Sequence, residues 1–488
     1  MIDKETLDNY INQQFEDWNW VKQLEREEIE KLLNFIPFKT KPYLHQLQGM
    51  VPCLLNNSFL LFLDMGLGKT KIILDVLSLD NKRVLALSPS VATVSTWADE
   101  INKHSNKTYI ELTGTTPERW KKLLESEAEI VLLNYTGLLV MNTVNSGGRW
   151  VIDFPVLAKF TSLFDCVVFD EIHLCKNHRS LTFKVCKYIA EHTKYRYGLT
   201  GTPLNRDPMS LWSQFYLIDL GETLGRHISI YREAFFTQYT NYWGALDYKF
   251  KKIYTEHLNK RVRNKSIRFV KEDTLDLPDK VFTKIPVELS DEARKVYLDI
   301  VYNSDIKDIK QTFPKLRQIC SGFFEDIVFE TQKLDELVDL IKSIPTDSKV
   351  VVFLEFIKSG ELVTTRLKKE GIRCERLYGG TRDKIGVKNN FLKNENIKVL
   401  VANVESGGVG LNLQVANYVV FYELPLSSID YRQAVERVHR PGQNNTVFVY
   451  SLITKNTVEE KIEKYLQEGK DIFKALIDGN KAKEILGI

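Results

Sequence analysis

The sequence predicts an α/β protein made of two parallel-sheet units with helical insertions between them, and three observations carry that expectation. Length is the first: 488 residues exceed one ordinary core, so two domains of similar size are expected. The second is a recurring pattern of short β-branched runs, most followed by a segment of helical spacing. Strands covered on both faces by crossover helices read this way. The third is that the rhythm stops and restarts.

"SFLLFLDMG", "RVLALSPS", "EIVLLNYT", "FDCVVFDEI" and "YRYGLTGTP" make the first set of expected strands, and "KVVVFLEF", "IKVLVANV", "NYVVFYELP" and "TVFVYSLIT" the second. Between them, from Asn205 to about Thr331, the chain is rich in aromatic and charged residues and mostly helical in pattern, broken by "LDLPDK" at Leu275 to Lys280. The expected division is an N-terminal helical extension at 1–35, a first lobe at 36–290 with a helical insertion at about 205–275, a helical protrusion and hinge at 291–331, and a second lobe with C-terminal helices at 332–488.

Composition narrows the class. With 43% hydrophobic and 27% charged residues the chain reads as a soluble globular enzyme, away from disordered or membrane proteins. A net charge of +3, from 67 basic against 64 acidic residues, gives no global signal of nucleic-acid binding, so any basic surface has to be local. The strongest basic run, "KKIYTEHLNKRVRNKSIRFVK" from Lys251 to Lys271, reads equally as a solvated helix face or as a nucleic-acid contact. Six cysteines form no C-x-x-C pair and no zinc spacing, which points to buried reduced thiols and a cytoplasmic setting. "MIDKETLDNYINQQF" lacks a basic leader followed by an apolar run, and no stretch approaches the roughly 18 apolar residues of a membrane span, so neither export nor anchoring is expected.

The chemistry gathers at strand ends. "DMGLGKT", Asp64 to Thr70, follows "FLLFL" and precedes "KIILDVLSL", the strand and helix context of a phosphate loop, although Leu63 stands where the full G-x-x-x-x-G-K-[ST] signature has its first glycine. Gly66 and Gly68 permit close backbone approach, Lys69 offers a charge to β and γ phosphates, and Thr70 offers a hydroxyl to Mg²⁺. "VVFDEIH" ends an apolar strand with Asp170 and Glu171, a pair suited to holding Mg²⁺ and to orienting or deprotonating an attacking water, or else an ordinary solvated sheet edge. "GLTGTPLNRD", Gly198 to Asp207, is either a plain turn or an element coupling nucleotide state to movement. In "QAVERVHRPGQ", Gln433, Arg437 and Arg440 recur at helical spacing on one face. Such arginines are usually surface charge, and become arginine fingers only if this unit closes over the phosphates.

Taken together, these residues resemble the Swi/Snf family of superfamily 2 helicase-like ATPases, from about Lys41 to Ile462. "DMGLGKT" resembles motif I, "LALSPSVATVSTW" motif Ia, "DEIH" motif II, "LTGTPLN" with "SLW" after it motif III, "ESGGVGLNL" motif V and "QAVERVHRPGQ" motif VI. "HQLQG", "LRQIC" and "TVEEKI" agree with lesser family segments. The family uses a shorter signature centred on G-x-G-K-T, so Leu63 is no obstacle. The resemblance implies two RecA-like lobes with helical protrusions and ATP-driven movement along double-stranded DNA, usually without strand separation. It implies that Gln46 lies near adenine, that Met65, Gly66, Leu67, Gly68, Lys69, Thr70, Gly408 and Gln433 surround ATP, and that Thr70 and Asp170 hold Mg²⁺. Catalytic roles would fall to Lys69, Asp170, Glu171, Arg437 and Arg440, and DNA backbone contacts to Ser88, Asn134, Lys176, Asn177 and Ser406.

Two departures qualify the resemblance. Ile172 stands in motif II where alanine or glycine is usual, and Leu426 in "YELPLSSIDYRQ" stands where the family commonly has a tryptophan close to DNA. The second leaves open a true helicase or branch-migration enzyme acting on forks and junctions. No bromodomain, chromodomain or zinc module is evident, which fits a compact viral or bacterial enzyme, in the host cytoplasm if viral. A third reading, a nucleotide-controlled binding module, rests on the charge-rich first 33 residues, which otherwise read as helix packed on the first lobe.

Overall fold

The computed structural model describes residues 4–79, 81–201, 208–240, 246–271, 274, 278–303, 309–404, 412–470, 472 and 485. The chain divides into two compact units between residues 275 and 276.

The first unit contributes β1 (Ser58–Leu63), β2 (Val84–Ser88), β3 (Tyr109–Glu111), β4 (Ile130–Asn134), β5 (Thr143–Ser146), β6 (Arg149–Ile152), β7 (Cys166–Asp170), β8 (Tyr195–Thr200), β9 (Phe236–Thr240), β10 (Leu246–Phe250) and β11 (Ser266–Phe269). Seven of these form one sheet in the order β11-β1-β8-β7-β2-β4-β3, with every neighbouring pair parallel. Successive residues of each strand enter different cores. Leu60, Phe62, Leu85, Leu87, Val167 and Phe169 pack on one face, while Phe59, Leu61, Leu63, Val84, Ala86 and Val168 pack on the other. Because both faces are covered, the strands read as unbroken apolar runs.

The second unit contributes β12 (Lys280–Val287), β13 (Phe323–Phe324), β14 (Ile327–Val328), β15 (Lys349–Leu354), β16 (Cys374–Leu377), β17 (Val399–Asn403), β18 (Ala416–Phe421) and β19 (Val447–Thr454). Its six-stranded sheet runs β12-β19-β18-β15-β17-β16 and is again parallel throughout. Val351, Phe353, Leu400 and Phe421 face one core, and Val350, Val352, Val401 and Val420 the other. The α/β class with two parallel sheets is therefore as expected, and in each unit all strand ends of one polarity meet at a single edge.

The segment between the two sheets is less helical than its composition suggests. Helices Pro208–Asp219, Ile228–Phe235 and Thr255–Val262 occur there, but so do the antiparallel β9–β10 hairpin and β11, which closes the first sheet beside β1. The expected lobe boundary at 290 also shifts, because Lys280–Val287 pairs with Val447–Thr454 in the second sheet. Helices Asp291–Asn303 and Ile309–Cys320 are built into the second unit: Tyr297, Phe313, Leu316 and Ile319 share a core with Phe353 and Leu400.

The N-terminal segment packs on the first unit. Trp18, Val21, Ile29 and Leu33 enter the same core as Phe59 and Leu61, and the Trp18 indole N–H donates to the Asn264 carbonyl at 2.9 Å. The basic run is largely consumed by such contacts. Arg261, 1% exposed, donates to the carbonyls of Thr223 and Tyr10 and lies 4.0 Å and 4.5 Å from the ring centroids of Tyr10 and Phe15. Lys251 caps the helix Ile228–Phe235 through the carbonyls of Glu233 and Ala234, Lys265 donates to Asn56, and Lys271 is buried. These four residues of the run thus serve as internal scaffolding, while Lys252 and Lys260 stay exposed.

All six cysteines are free, five of them buried. Among the described residues no cluster of metal-ligating side chains occurs and no helix is long and apolar enough to cross a membrane.

Candidate active site

The phosphate-loop sequence takes the form its glycines require. β1 ends at Leu63, and the helix Lys69–Leu77 begins after Gly68, whose φ of +76° is left-handed, as is the +88° of Gly66. A side chain at Gly68 would be strained by that backbone, and its Cβ would also stand 2.2 Å from Gln46 Nε2. Gln46 is fixed in that place, accepting from Tyr43 N at 2.9 Å and donating to the Leu67 carbonyl at 3.1 Å. His45 bonds the same carbonyl through Nε2 at 2.9 Å, and burial holds its imidazole pKa below the ordinary value.

Leu63 also explains the missing glycine. Its side chain is fully buried at the end of β1, while its carbonyl accepts from Lys69 Nζ at 3.0 Å. The position therefore serves the core with its side chain and the lysine with its backbone. Leu67 is likewise a core residue, and the largely buried Met65 places its Cγ 3.5 Å from where a Cβ on Gly201 would stand. Thr70 is half-buried in the first turn of the helix.

Strand order brings the second motif alongside. β8 lies between β1 and β7, so Thr200 at the end of β8 sits between Leu63 and Asp170. Asp170 is held on three sides: Trp97 Nε1 donates to Oδ2 at 3.0 Å, the Glu171 N–H donates to Oδ1 at 3.0 Å, and the Tyr135 hydroxyl donates to its carbonyl at 2.9 Å. Burial, and then the neighbouring Glu171 charge, push its carboxyl up to about 6, opposed by the Trp97 N–H and by Lys69. Glu171, with a left-handed φ of +47°, lies 3.2 Å from His173 Nδ1, which is itself 3.2 Å from the Thr200 hydroxyl. A Cβ built on Gly201, the next residue, would lie 3.6 Å from Lys69 Nζ. Lys69, Asp170, Glu171 and the start of the "GTP" turn thus converge, while Thr202 to Asp207 fall outside the described residues.

The unusual Ile172 is accommodated locally. It is fully buried, and a Cβ on Gly198 would stand 3.0 Å from its Cδ1 and 2.6 Å from Leu60. The glycine makes room for the larger side chain, leaving both carboxylates in place.

The other candidates divide by unit. Ser88 and Asn134 are register partners at the ends of β2 and β4. Ser88 is buried, and Asn134 caps the helix Tyr135–Asn142 by accepting from Gly137 N. Lys176 and Asn177 are exposed just beyond the turn Ile172–Cys175 that follows β7. All four lie at the carboxyl edge of the first sheet. In the second unit, Gln433 and the buried Arg437 share the helix Ser428–Val438. Arg440 does not: the helix stops at Val438, and Arg440 bonds back through Nε to the Glu436 carbonyl at 3.0 Å. The proline at 441 explains this, since it disfavours helical backbone at the residue before it. Ser406 and Gly408 lie outside the described residues. Trp97, Tyr135 and His173 were not singled out from sequence. Trp97 and His173 do close the motifs "LALSPSVATVSTW" and "DEIH", but no role attaches to either side chain there.

A helicase-like ATPase is the class that such a phosphate loop, acidic pair and second motif-bearing unit define. The SNF2-related domain model matches residues 14–334, and the helicase conserved C-terminal domain model matches residues 332–442. The chain therefore belongs to the SNF2 family. Among its relatives are an uncharacterized ATP-dependent helicase of Mycoplasma genitalium, 27% identical over 84% of this chain and 39% of that protein, and the chromatin structure-remodeling complex subunit snf21 of Schizosaccharomyces pombe, 27% identical over 91% of this chain and 40% of that protein. The chain spans about two fifths of the length of these curated relatives. A solved Sulfolobus solfataricus SWI2/SNF2 ATPase core in complex with dsDNA matches at 24% identity and a TM-score of 0.43, covering 92% of this chain and 96% of its own.

Proposed function

We propose that this chain is an ATP-dependent translocase that couples hydrolysis to movement on double-stranded or branched DNA. The observation that carries the reading is the convergence of Lys69, Gly201 and the Asp170–Glu171 pair at one sheet edge. The SNF2 family assignment and relatives named as ATP-dependent helicases support the use of ATP.

In this reading the N–H groups at the start of the helix Lys69–Leu77 and the Lys69 ammonium bind phosphates. The Thr70 hydroxyl and the Asp170 carboxylate suit a magnesium ion, which takes oxygen ligands and commonly one or two carboxylates. When bound, the ion would neutralise charge on the transferring phosphate. Glu171 orients the attacking water, and Gln46, fixed against the loop, meets the adenine. Arg437 and Arg440 answer the charge developing on the γ-phosphate, assisted by Gln433 and Gly408. Asn134, Lys176, Asn177 and Ser406 track the DNA backbone, a mode of contact that is indifferent to base sequence, whereas Ser88, expected to join them, is buried and donates its hydroxyl to the Ser90 carbonyl. The free buried thiols suit a reducing, cytoplasmic setting.

Steady-state ATP turnover with single-stranded, duplex, forked and four-way DNA and with RNA tests the reading. Stimulation by duplex or branched DNA, abolished in Lys69→Ala, is expected. Equal turnover with and without every nucleic acid would sink it. Release of a labelled strand from forked DNA would favour a true helicase over translocation alone.

A further inference from the structure

Trp97 presents a buried polar group that packing alone does not explain. Its side chain is 2% exposed on the helix Val91–His104, in the core that also holds Ile101, Leu132 and Val168. A phenylalanine could fill an apolar site there without bringing an N–H, and a buried donor left unpaired is destabilising. The N–H of Trp97 is instead aimed at Asp170 Oδ2, 3.0 Å away.

The pairing determines what the carboxylate can still do. Oδ2 accepts from the indole and Oδ1 from the Glu171 backbone N–H, both at 3.0 Å. Each carboxylate oxygen offers two lone-pair directions, so one on each remains for another partner. Rotation of the carboxylate would break both bonds, and the Tyr135 hydroxyl holds the main chain of the same residue at 2.9 Å. An indole N–H only donates, so it cannot exchange roles with its acceptor as a hydroxyl or amide could.

We propose that Trp97 is a positioning residue for Asp170: its N–H fixes the plane of the carboxylate and so sets the affinity of the site for a divalent cation. This rests on the reading of Asp170 as a cation ligand. Groups that hold a ligating carboxylate from behind act in this way in metal sites.

Mn²⁺ serves as the probe, with free ion followed by electron paramagnetic resonance in the presence of the full chain and ADP. In Trp97→Phe the dissociation constant of Mn²⁺ is expected to rise about 10–100-fold, while ADP binding in EDTA stays within about threefold. A second variant, benzothienylalanine incorporated at position 97, keeps the bicyclic volume without the N–H. It is expected to reproduce the loss with a wild-type melting temperature. Wild-type Mn²⁺ affinity in either folded variant, with Mn²⁺ binding lost in Asp170→Asn, would reduce Trp97 to packing. Undiminished Mn²⁺ binding in Asp170→Asn would instead overturn the ligand reading on which the proposal stands.

Discussion

Single residues in this protein often serve two masters, and their substitutions are informative for that reason. Gly68 is needed both for a left-handed backbone and for the space Gln46 Nε2 occupies. Gly68→Ala is expected to destabilise the first unit by about 1–2 kcal/mol from the backbone alone, and to weaken ADP binding at least about tenfold because Gln46 or the loop must move. Isothermal titration and urea denaturation of the same variant separate the two effects. Asp219, 7% exposed, accepts from the backbone N–H groups of Gly221 and Thr223, yet burial still raises its carboxyl to about 6. The folded state therefore holds that proton more tightly than the unfolded chain. Its stabilising contribution is complete below about pH 4 and is lost as pH rises through about 6. Relative to Asp219→Asn, the wild type should lose up to about 3 kcal/mol between about pH 4 and about pH 7, and no more above that. A stability gap that does not change with pH would contradict it.

At the scale of elements, the legible parts are those where one physical demand dominates. β1, β2, β4, β7, β15, β17, β18 and β19 each announce themselves because buried parallel strands need continuous apolar runs. β3 and β16 do not, being short and half-exposed, and β11 escapes because its "SIRF" sits inside a charged run. The acidic pair and phosphate loop were legible as motifs, but the bond from Trp97 was not, since it joins residues 73 apart through tertiary packing. The same holds for the buried pair of Lys333 and Glu459, which links the helices Gln332–Ser343 and Val458–Gln467 with Nζ 2.6 Å and 2.8 Å from the two carboxylate oxygens. Glu459 also accepts from Thr454 N. Glu459→Gln removes one charge and strands the other, so a loss of about 3–5 kcal/mol is expected. Lys333→Met combined with Glu459→Leu should recover much of it, and chemical denaturation of the two variants decides the matter.

At the scale of the whole molecule, the units share no core: Leu60 and Leu61 lie in the two cores flanking the first sheet, and Val351 and Val352 in the two flanking the second. Calorimetry should therefore resolve two transitions. Adding ADP with Mg²⁺ at about 100 times its dissociation constant should stabilise the first unit by about 2.7 kcal/mol. A single transition that nucleotide leaves unmoved would count against independent cores and against the placement of the nucleotide on the first unit.

Arg261 joins chain segments far apart in sequence, reaching Tyr10 across 251 positions and Thr223 across 38. Its acceptors there are main-chain carbonyls, which every residue type supplies. Saturation mutagenesis should therefore find a one-sided pattern. Positions 10 and 223 should accept varied side chains as far as these bonds are concerned, while position 261 should reject nearly everything, lysine included, because a single ammonium cannot reproduce the fork of donors. The main-chain share of this fastening would then be a constraint borne by position 261 alone, and paired variation would be confined to side chains that lie against its guanidinium, such as the rings of Tyr10 and Phe15.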